Sequence, residues 1–318
     1  MAEASIDVVV VGRVDEADGV VALILESADR APLPEWTPGA HVDIHVPGDK
    51  VRQYSLSSRP EVTNQWRLGV LREIDGRGGS AWIHDRVVVG TALRVSAPRN
   101  NFALHEAARY RFIAGGIGIT PLLPMIAEVE RTGAPWQLLY GGRSRKSMAF
   151  LTELEAYGNR VMVRPQDEAG LLDLAAFLSD PQPGERIYAC GPEPMLVATE
   201  AAAQESPWPA HSLHMERFVP KAITLQDDEV FDVDFVDSGL SGRVDPRVSI
   251  LDVAESLGLN VFSSCREGTC GTCETDILEG EVEHRDSLLT ASEQATNKSM
   301  MICVSRAAHG CAKLKLAL

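Results

Sequence analysis

Three cysteines, Cys265, Cys270 and Cys273, stand in the order C-x4-C-x2-C, and a fourth, Cys303, follows in the run Met-Ile-Cys-Val-Ser. That is the plant-type spacing for a 2Fe-2S cluster, in which three thiolates converge from one loop on a compact two-iron unit while backbone amides turn inward toward the sulfurs. Gly268 and Gly271 permit such tight wrapping. Two alternatives stand beside it. A structural zinc site usually shows two short cysteine or histidine pairs, and one such pair is present here; the other alternative is a set of unrelated buried thiols. Cys311 lies outside the pattern and reads as a spare thiol.

A second group of residues could hold a flavin. Arg52, Gln53, Tyr54, Ser55 and Leu56 close a strand-like run and offer a cation, an aromatic ring and a hydroxyl within one short span, the groups that a flavin phosphate and ring need. Taken alone, Arg and Tyr in a strand are as well explained by surface and packing. Further on, Gly76-Arg-Gly78-Gly79-Ser80 precedes Ala-Trp-Ile, so that glycines expose backbone amides at a helix start, where the dipole favours a phosphate.

A third group suits a dinucleotide. The run Ile-Ala-Gly-Gly116-Ile-Gly118-Ile-Thr120-Pro121 follows a short strand and opens a helix; Pro121 stands where a third glycine of the full G-x-G-x-x-G would be. It is joined by a second strand that ends in a glycine-proline turn, Cys190-Gly191-Pro192-Glu-Pro-Met195. For Cys190 the alternative is a small buried core residue. After the domain's strand at 136–140 the chain reads Gly-Gly-Arg143-Ser-Arg145, with no acid to bond the adenosine ribose, and an arginine there accommodates a 2′-phosphate. Both arginines are equally readable as solvated loop charges, so NADH and NADPH stay open.

These groups require several modules. With 318 residues the chain exceeds one small core. Up to about residue 106, alternating or β-branched runs at 6–11, 20–25, 41–46 and 66–71 are bounded by Gly, Pro and Asp turns, which predicts a small antiparallel barrel. From 107 to 222 apolar strands at 111–114, 136–140 and 161–163 alternate with helical stretches at 122–130 and 151–155, the pattern of a parallel α/β sheet. Strands return at 229–236, and a short helix is expected over 250–257, in a third domain spanning 227–318. Linkers are expected near 105–109 and 218–227.

Composition sets limits on partners and place. The chain is 45% hydrophobic and 24% charged, with no apolar run near the roughly 18 residues of a membrane helix. Its start lacks a basic n-region and a signal h-region, so a cytoplasmic location is expected, where clustered cysteines hold metal more often than disulfides. A net charge of -15 argues against nucleic acid. The acid gathers at Asp227, Asp228, Glu229, Asp232, Asp234 and Asp237 and again over 274–286, either as a solubilising surface or as a docking face.

The cysteine loop 265–274 with 299–306, and the order of the three modules, resemble the phthalate dioxygenase reductase and vanillate demethylase reductase family. The flavin segments are similar to the arginine-tyrosine-serine motif and phosphate loop of the ferredoxin reductase superfamily. That resemblance implies FMN as the flavin, Tyr54 packed on its ring, Ser55 bonded to its reactive edge, and Arg52, Gly79 and Ser80 on its phosphate. It also implies backbone contacts from Val70 and Leu71, NADH as donor, and Cys190 beside the nicotinamide. Glu216-Arg-Phe218 resembles the family position at which an aromatic ring covers the flavin until nicotinamide displaces it; a hydrophobic plug at a domain junction is the alternative. The fold implied is a flavin barrel, a nucleotide-binding α/β domain and an α+β ferredoxin-like β-grasp domain.

Nicotinamide gives up two electrons together and a 2Fe-2S cluster accepts one at a time, so a flavin must stand between them. The expected path runs from nicotinamide through flavin and cluster to an external acceptor. The resemblance makes that acceptor a Rieske-type oxygenase component acting with a monomeric reductase. A haem monooxygenase as acceptor, and a ferredoxin-like redox sensor that turns over little, are the competing readings. No His pair with metal spacing and no paired carboxylates point to oxidation of an organic substrate by this chain itself.

Overall fold

The structure is a computed structural model that describes residues 5–48, 50–74, 76, 78–209, 211–220 and 228–318. Arg77 of the glycine loop, the first four residues, and residues 221–227 of the expected linker with Asp227 lie outside the described residues. Residues 3–218 form one compact unit and 219–318 another.

In the larger unit the strands β1 (Ser5–Ala17), β2 (Val20–Ser27), β3 (His41–Val46), β4 (Lys50–Ser55), β5 (Trp66–Leu71) and β6 (Ala92–Ser96) form an antiparallel sheet in the order β4-β3-β6-β1-β2-β5. Its edges meet: Leu56 bridges Leu68, and the Ser57 N–H donates to the Arg67 carbonyl at 2.8 Å, so the sheet closes into a barrel. Val42, Ile44, Leu23, Leu68 and Trp66 fill its interior. The edge strand β4 and the helix α1 (Gly79–Arg86) are thereby held next to one another at one rim.

The same unit continues into β7 (Arg109–Gly115), α2 (Leu122–Thr132), β8 (Trp136–Gly142), α3 (Leu151–Glu155), β9 (Val161–Pro165), α4 (Gln166–Ala169), α5 (Leu174–Leu178), β10 (Glu185–Cys190), α6 (Glu193–Gln204) and β11 (Leu213–Glu216). All five strands are parallel, in the order β11-β10-β7-β8-β9. Parallel strands bury both faces, and β7 shows it: Phe112 and Ala114 join the core under α2, whereas Ile113 joins the core under α5 and α6. Helix α2 carries apolar residues at 122, 125, 126 and 129, one buried stripe, and ends at Gly133 in the left-handed region (φ 76°). The first core also takes in Val20 and Ala22 of β2, so barrel and α/β sheet share apolar contacts.

The smaller unit has β12 (Phe231–Phe235), β13 (Leu240–Val244), α7 (Ile250–Ser256), β14 (Glu274–Glu279), β15 (Val282–Glu283), α8 (Ala291–Thr296), β16 (Ser299–Met301), β17 (Arg306–Ala307) and β18 (Lys313–Leu316). Its main sheet runs β13-β12-β18-β14-β16 with β12 and β18 parallel, and α7 packs on it through Ile250, Leu251, Val253 and Ala254. A capping box between Ser249 and Asp252 starts α7, which ends on Leu257 just ahead of the cysteine loop.

Strands β6, β11 and β13 to β18 are additions to the pattern read from sequence. They are short, and two of them, β13 and β14, are half-exposed, so neither alternation nor an unbroken apolar run marks them.

Candidate redox centres

Parallel strand order reverses between β7 and β10, and the loops that follow those two strands face each other across that crevice, where ligands of open α/β sheets bind. They are pressed together to a degree that only glycine allows. A Cβ on Gly118 would fall 2.2 Å from the Cys190 carbonyl oxygen and 2.7 Å from the Gly191 nitrogen; one on Gly115 would fall 2.6 Å from Pro192 Cδ. Gly116 adopts φ 53° in the open. The turn passes through a 3-10 segment, Gly116–Ile119, before α2, with Pro121 in helical geometry at its cap and the Thr120 hydroxyl donating to the Ile117 carbonyl. Gly191, Pro192 and Met195 open α6 opposite. Gly116, Gly118, Thr120 and the 190–195 segment are therefore in one place.

Sequence reasoning did not single out Glu216 there. It ends β11, whose register sets it directly beside Cys190, and its Oε2 lies 3.9 Å from Cys190 Sγ. Burial pushes the Glu216 carboxyl up to about 8, and burial together with Glu216 pushes the Cys190 thiol well above its ordinary range. Glu216 is half-exposed over the whole residue, so the enclosed part is its carboxyl end. Both groups are uncharged near neutral pH. A cue existed in the sequence, since a lone acid at the end of a short strand next to a buried cysteine has an unusual environment, but strand register is needed to see it. Two residues on, Phe218 is 42% exposed.

At the ends of β8 and β9, Arg143 is exposed and its carbonyl accepts the Asp167 N–H, while Arg145 forks onto Glu168 with Nε and Nη2 at 3.2 and 3.0 Å. Arg145 is thus both ion-paired and open to solvent.

The flavin-type segments also converge. A Cβ on Gly79 would lie 2.6 Å from Arg52 Cγ and 2.7 Å from its Nε, so the Arg52 side chain crosses the first turn of α1. Gly78 enters that turn in the left-handed region, and the Ser80 hydroxyl accepts the Glu73 N–H at 3.0 Å, tying the loop down. Arg13 caps the far end of α1 through the Ile83, His84 and Val87 carbonyls. A guanidinium over a helix N-terminus with free amides is a donor set suited to a phosphate. Burial holds the Tyr54 phenol above its ordinary range, hence neutral. Ser55 is buried, and the Val70 carbonyl lies 3.0 Å from His84 Nε2, with Leu71 next along β5.

Opposite Ser55 on β3 stands His41, and opposite Gln53 stands Asp43. Asp43 is ion-paired to Arg99 at 2.7 Å. Burial, then Arg99, lowers His41 to about 4, so its ring is neutral; its Nε2 and Gln53 Nε2 are buried without a hydrogen-bond partner among the described residues. Atoms of that kind call for a polar ligand or water. The barrel reaches the nucleotide loops through Gly69, whose added Cβ would lie 2.6 Å from Thr120 Cγ2, and through Arg67, which pairs with Glu153 at 2.7 Å and stacks on Phe150.

In the smaller unit the four cysteines form two pairs. The Cys265 and Cys270 thiols interact, and so do those of Cys273 and Cys303, so these four thiols would be the ones to hold a two-iron unit. The Glu267 and Thr269 N–H groups donate to Cys265 Sγ at 3.3 and 3.5 Å, and the Cys265 N–H donates to Cys270 Sγ at 3.5 Å. Contact with Cys270 and those amides lowers Cys265 to about 5, which favours thiolate. Gly268 and Gly271 have φ 70° and 76°, and a Cβ on Gly268 would lie 2.6 Å from Val304 Cγ2. The loop fits a 2Fe-2S cluster. Cys311 instead donates to the Lys313 carbonyl, apart from these pairs.

Comparison with known proteins follows the same division. The model of oxidoreductase NAD-binding domains matches residues 112–201, and that of 2Fe-2S iron-sulfur cluster binding domains matches 236–308. The chain is 42% identical to phenoxybenzoate dioxygenase subunit beta of Ectopseudomonas oleovorans over 291 residues, 91% of this chain and 90% of that one. It superposes on phthalate dioxygenase reductase with a TM-score of 0.72 at 31% identity, covering 99% of this chain and 98% of the other. The chain belongs to the phthalate dioxygenase reductase family.

Membership in the phthalate dioxygenase reductase family makes the protein an oxidoreductase that uses a nicotinamide nucleotide and a 2Fe-2S domain, and the family fold implies a flavin between them. It is also similar to an intact type IV self-sufficient cytochrome P450 monooxygenase, with a TM-score of 0.90 and 40% identity over 99% of this chain; it spans 41% of that longer protein. Among the described residues no helix is long and apolar enough to cross a membrane.

Proposed function

We propose that this chain is the reductase component of a two-component Rieske-type oxygenase or demethylase, using NADH and FMN, with domains at 1–106, 107–222 and 227–318. The observation that carries the reading is the contact, within residues 3–218, of the glycine-pressed loop after β7 with β5 of the barrel that also bears the Arg52–Gly79 cradle, in a chain that holds two amide-wrapped cysteine pairs as well. When bound, the flavin supplies the conversion of a hydride's electron pair into single electrons for the 2Fe-2S cluster.

The chain's own residues do the positioning. Gly116, Gly118, Thr120, Gly191, Pro192 and Met195 admit the dinucleotide to the crevice, and Arg143 and Arg145 face its adenosine end. Arg52, Gly78, Gly79 and Ser80 hold the flavin phosphate; Gln53, Tyr54, Ser55, Leu56, Val70 and Leu71 frame its ring. Cys190 and Glu216, both neutral, line the ring-docking end without a fixed charge, so a nicotinamide enters without burying an unpaired ion. Phe218 covers the flavin until the nicotinamide takes its place. Cys265, Cys270, Cys273 and Cys303 bind the cluster. The protein acts as a cytoplasmic monomer.

The test is direct. Purified protein should contain flavin and iron, show a reduced 2Fe-2S EPR signal after dithionite, and drive substrate turnover by a Rieske oxygenase when NADH is supplied. Zinc in place of iron, or EPR silence in flavin-loaded protein, defeats the reading. A second reading, service to a haem monooxygenase, is favoured by the likeness to the self-sufficient P450; turnover with a separate P450 and none with Rieske oxygenases would establish it.

A further inference from the structure

Gly268 is the point at which the three-cysteine loop meets the fourth cysteine. Its N–H donates to the Cys303 sulfur. Its carbonyl accepts the Ser287 N–H at 2.9 Å, and an added Cβ would fall 2.6 Å from Val304 Cγ2 and 3.0 Å from Asp286 Cα. The backbone at 286–287 is thus the backing against which the Gly268 amide is aimed. Asp286, which is fully buried, fixes that backing. Its Oδ2 accepts the N–H groups of Leu288 and Leu289 at 3.1 and 2.7 Å, a turn closed by a side chain. Just ahead of it the Arg285 N–H donates to Ser305 Oγ at 3.1 Å, and the Arg285 guanidinium pairs with Asp228 at 2.6 Å. The strap 284–289 is therefore pinned on both sides of Asp286. Its other oxygen, Oδ1, lies 3.7 Å from His284 Nδ1, and that oxygen and both His284 ring nitrogens are buried without a hydrogen-bond partner among the described residues.

We infer that Asp286 is a positioning residue for the iron-sulfur centre: by closing the strap behind Gly268 it holds the Gly268 N–H on the Cys303 sulfur and so makes the cluster easier to reduce. A reduced cluster carries one more negative charge than an oxidised one, and an N–H aimed at a ligating sulfur favours the more negative form, which is how hydrogen bonds to sulfur set cluster potentials. The turn at Asp286 uses the side chain as an acceptor oxygen, since only Oδ2 takes the two amides. An asparagine supplies the same oxygen, and an alanine does not. Position and charge are thereby separable, because they act in opposite senses. Loss of the turn lets the amide drift from the sulfur and lowers the potential, whereas loss of a negative charge beside the loop raises it.

This inference rests on the four-cysteine centre proposed above, and the experiment separates the two. Full-length holoprotein is titrated with dithionite under EPR, with iron and acid-labile sulfide measured on the same samples. Asp286→Asn should keep the wild-type g-values and midpoint. Asp286→Ala should shift the g-values and make the cluster harder to reduce by about tenfold, the worth of one hydrogen bond to a charged group, which for a one-electron couple is about 59 mV. Should Asp286→Ala assemble no cluster, Asp286→Ser decides, because its hydroxyl makes the same turn more weakly and should give a smaller fall in the same direction. Native g-values and midpoint in every iron-loaded variant overturn the inference, and so does a midpoint that rises in both Asp286→Asn and Asp286→Ala, which would make Asp286 a charge rather than a support. Wild type that holds iron and sulfide yet gives no 2Fe-2S signal overturns the centre itself.

Discussion

Gly118→Ala tests the switch-point packing with a single methyl group. The added carbon would sit 2.2 Å from the Cys190 carbonyl oxygen and 2.4 Å from its carbon, against a backbone segment that has no rotamer to yield. Ordinary contact requires more than 3 Å, so the loops after β7 and β10 must part by about 1 Å. Overpacking of this kind costs about 1–3 kcal/mol, which for a unit of this size lowers the unfolding midpoint by roughly 4–8 °C at the middle of that range. The effect on function is larger, because a displacement near 1 Å at a positioning loop costs on the order of a hundredfold. NADH-driven flavin reduction in stopped flow should lose about that factor in rate over affinity. Gly116→Ala is the control: nothing lies within 4 Å of its added Cβ, and only the φ of 53° opposes it, a cost of about 1–2 kcal/mol. If Gly118→Ala reduces flavin as well as Gly116→Ala does, the close approach of the two loops does not organise the site.

Three further outcomes follow from the same geometry. Cys270→Ser should abolish electron transfer to one-electron acceptors such as cytochrome c while NADH still bleaches the flavin; equal loss of both would refute a linear route. Glu216, raised to about 8 from 4.5, contributes stability that is complete below 4.5 and is lost as pH rises through about 8. Wild type should therefore lose stability progressively from about pH 4.5 to about pH 8 and level off above it, its flavin-reduction rate should change around pH 8, and Glu216→Gln should flatten both profiles. Arg111 is buried with Glu185 at 2.9 Å, donates to the Phe177 and Asp180 carbonyls, and stacks near Trp208. Arg111→Met strands the Glu185 carboxylate and should cost about 3–5 kcal/mol in urea unfolding; adding Glu185→Leu should recover much of the loss, and no recovery would show that the pair is not what matters.

What could be read from the sequence was what is local along it. The C-x4-C-x2-C spacing, the glycine turn before α2 and the Arg-x-Tyr-Ser span each place their groups within a few residues, and family likeness supports the architecture they imply. Helix α2 and strands β2, β3, β5 and β8 were legible because burial on one or both faces writes a period into the chain. His41 and Glu216 were not, because their interest lies in the cross-strand partner. His41 acquires meaning only from Ser55 opposite it, and Glu216 only from Cys190 beside it. The Arg145–Glu168 contact was hidden for the same reason, since it joins the loop after β8 to the one after β9.

Register thus supplies what spacing cannot, and it does so at one end of the sheet for a physical reason. Parallel strands all finish at the same edge, so residues far apart in the chain, 116–120, 143–145, 167–168, 190–195 and 216, are brought to one rim without any of them being near another in sequence. The barrel adds its own rim through β5, where Gly69 accepts the close approach of Thr120. A side chain at 69 would push the flavin-type strand away from the nucleotide loop. Neither Gly69 nor Gly118 has room for a methyl group, so the first sets how near the barrel approaches the loop after β7 and the second how near that loop approaches the one after β10, and neither position carries a reactive group of its own.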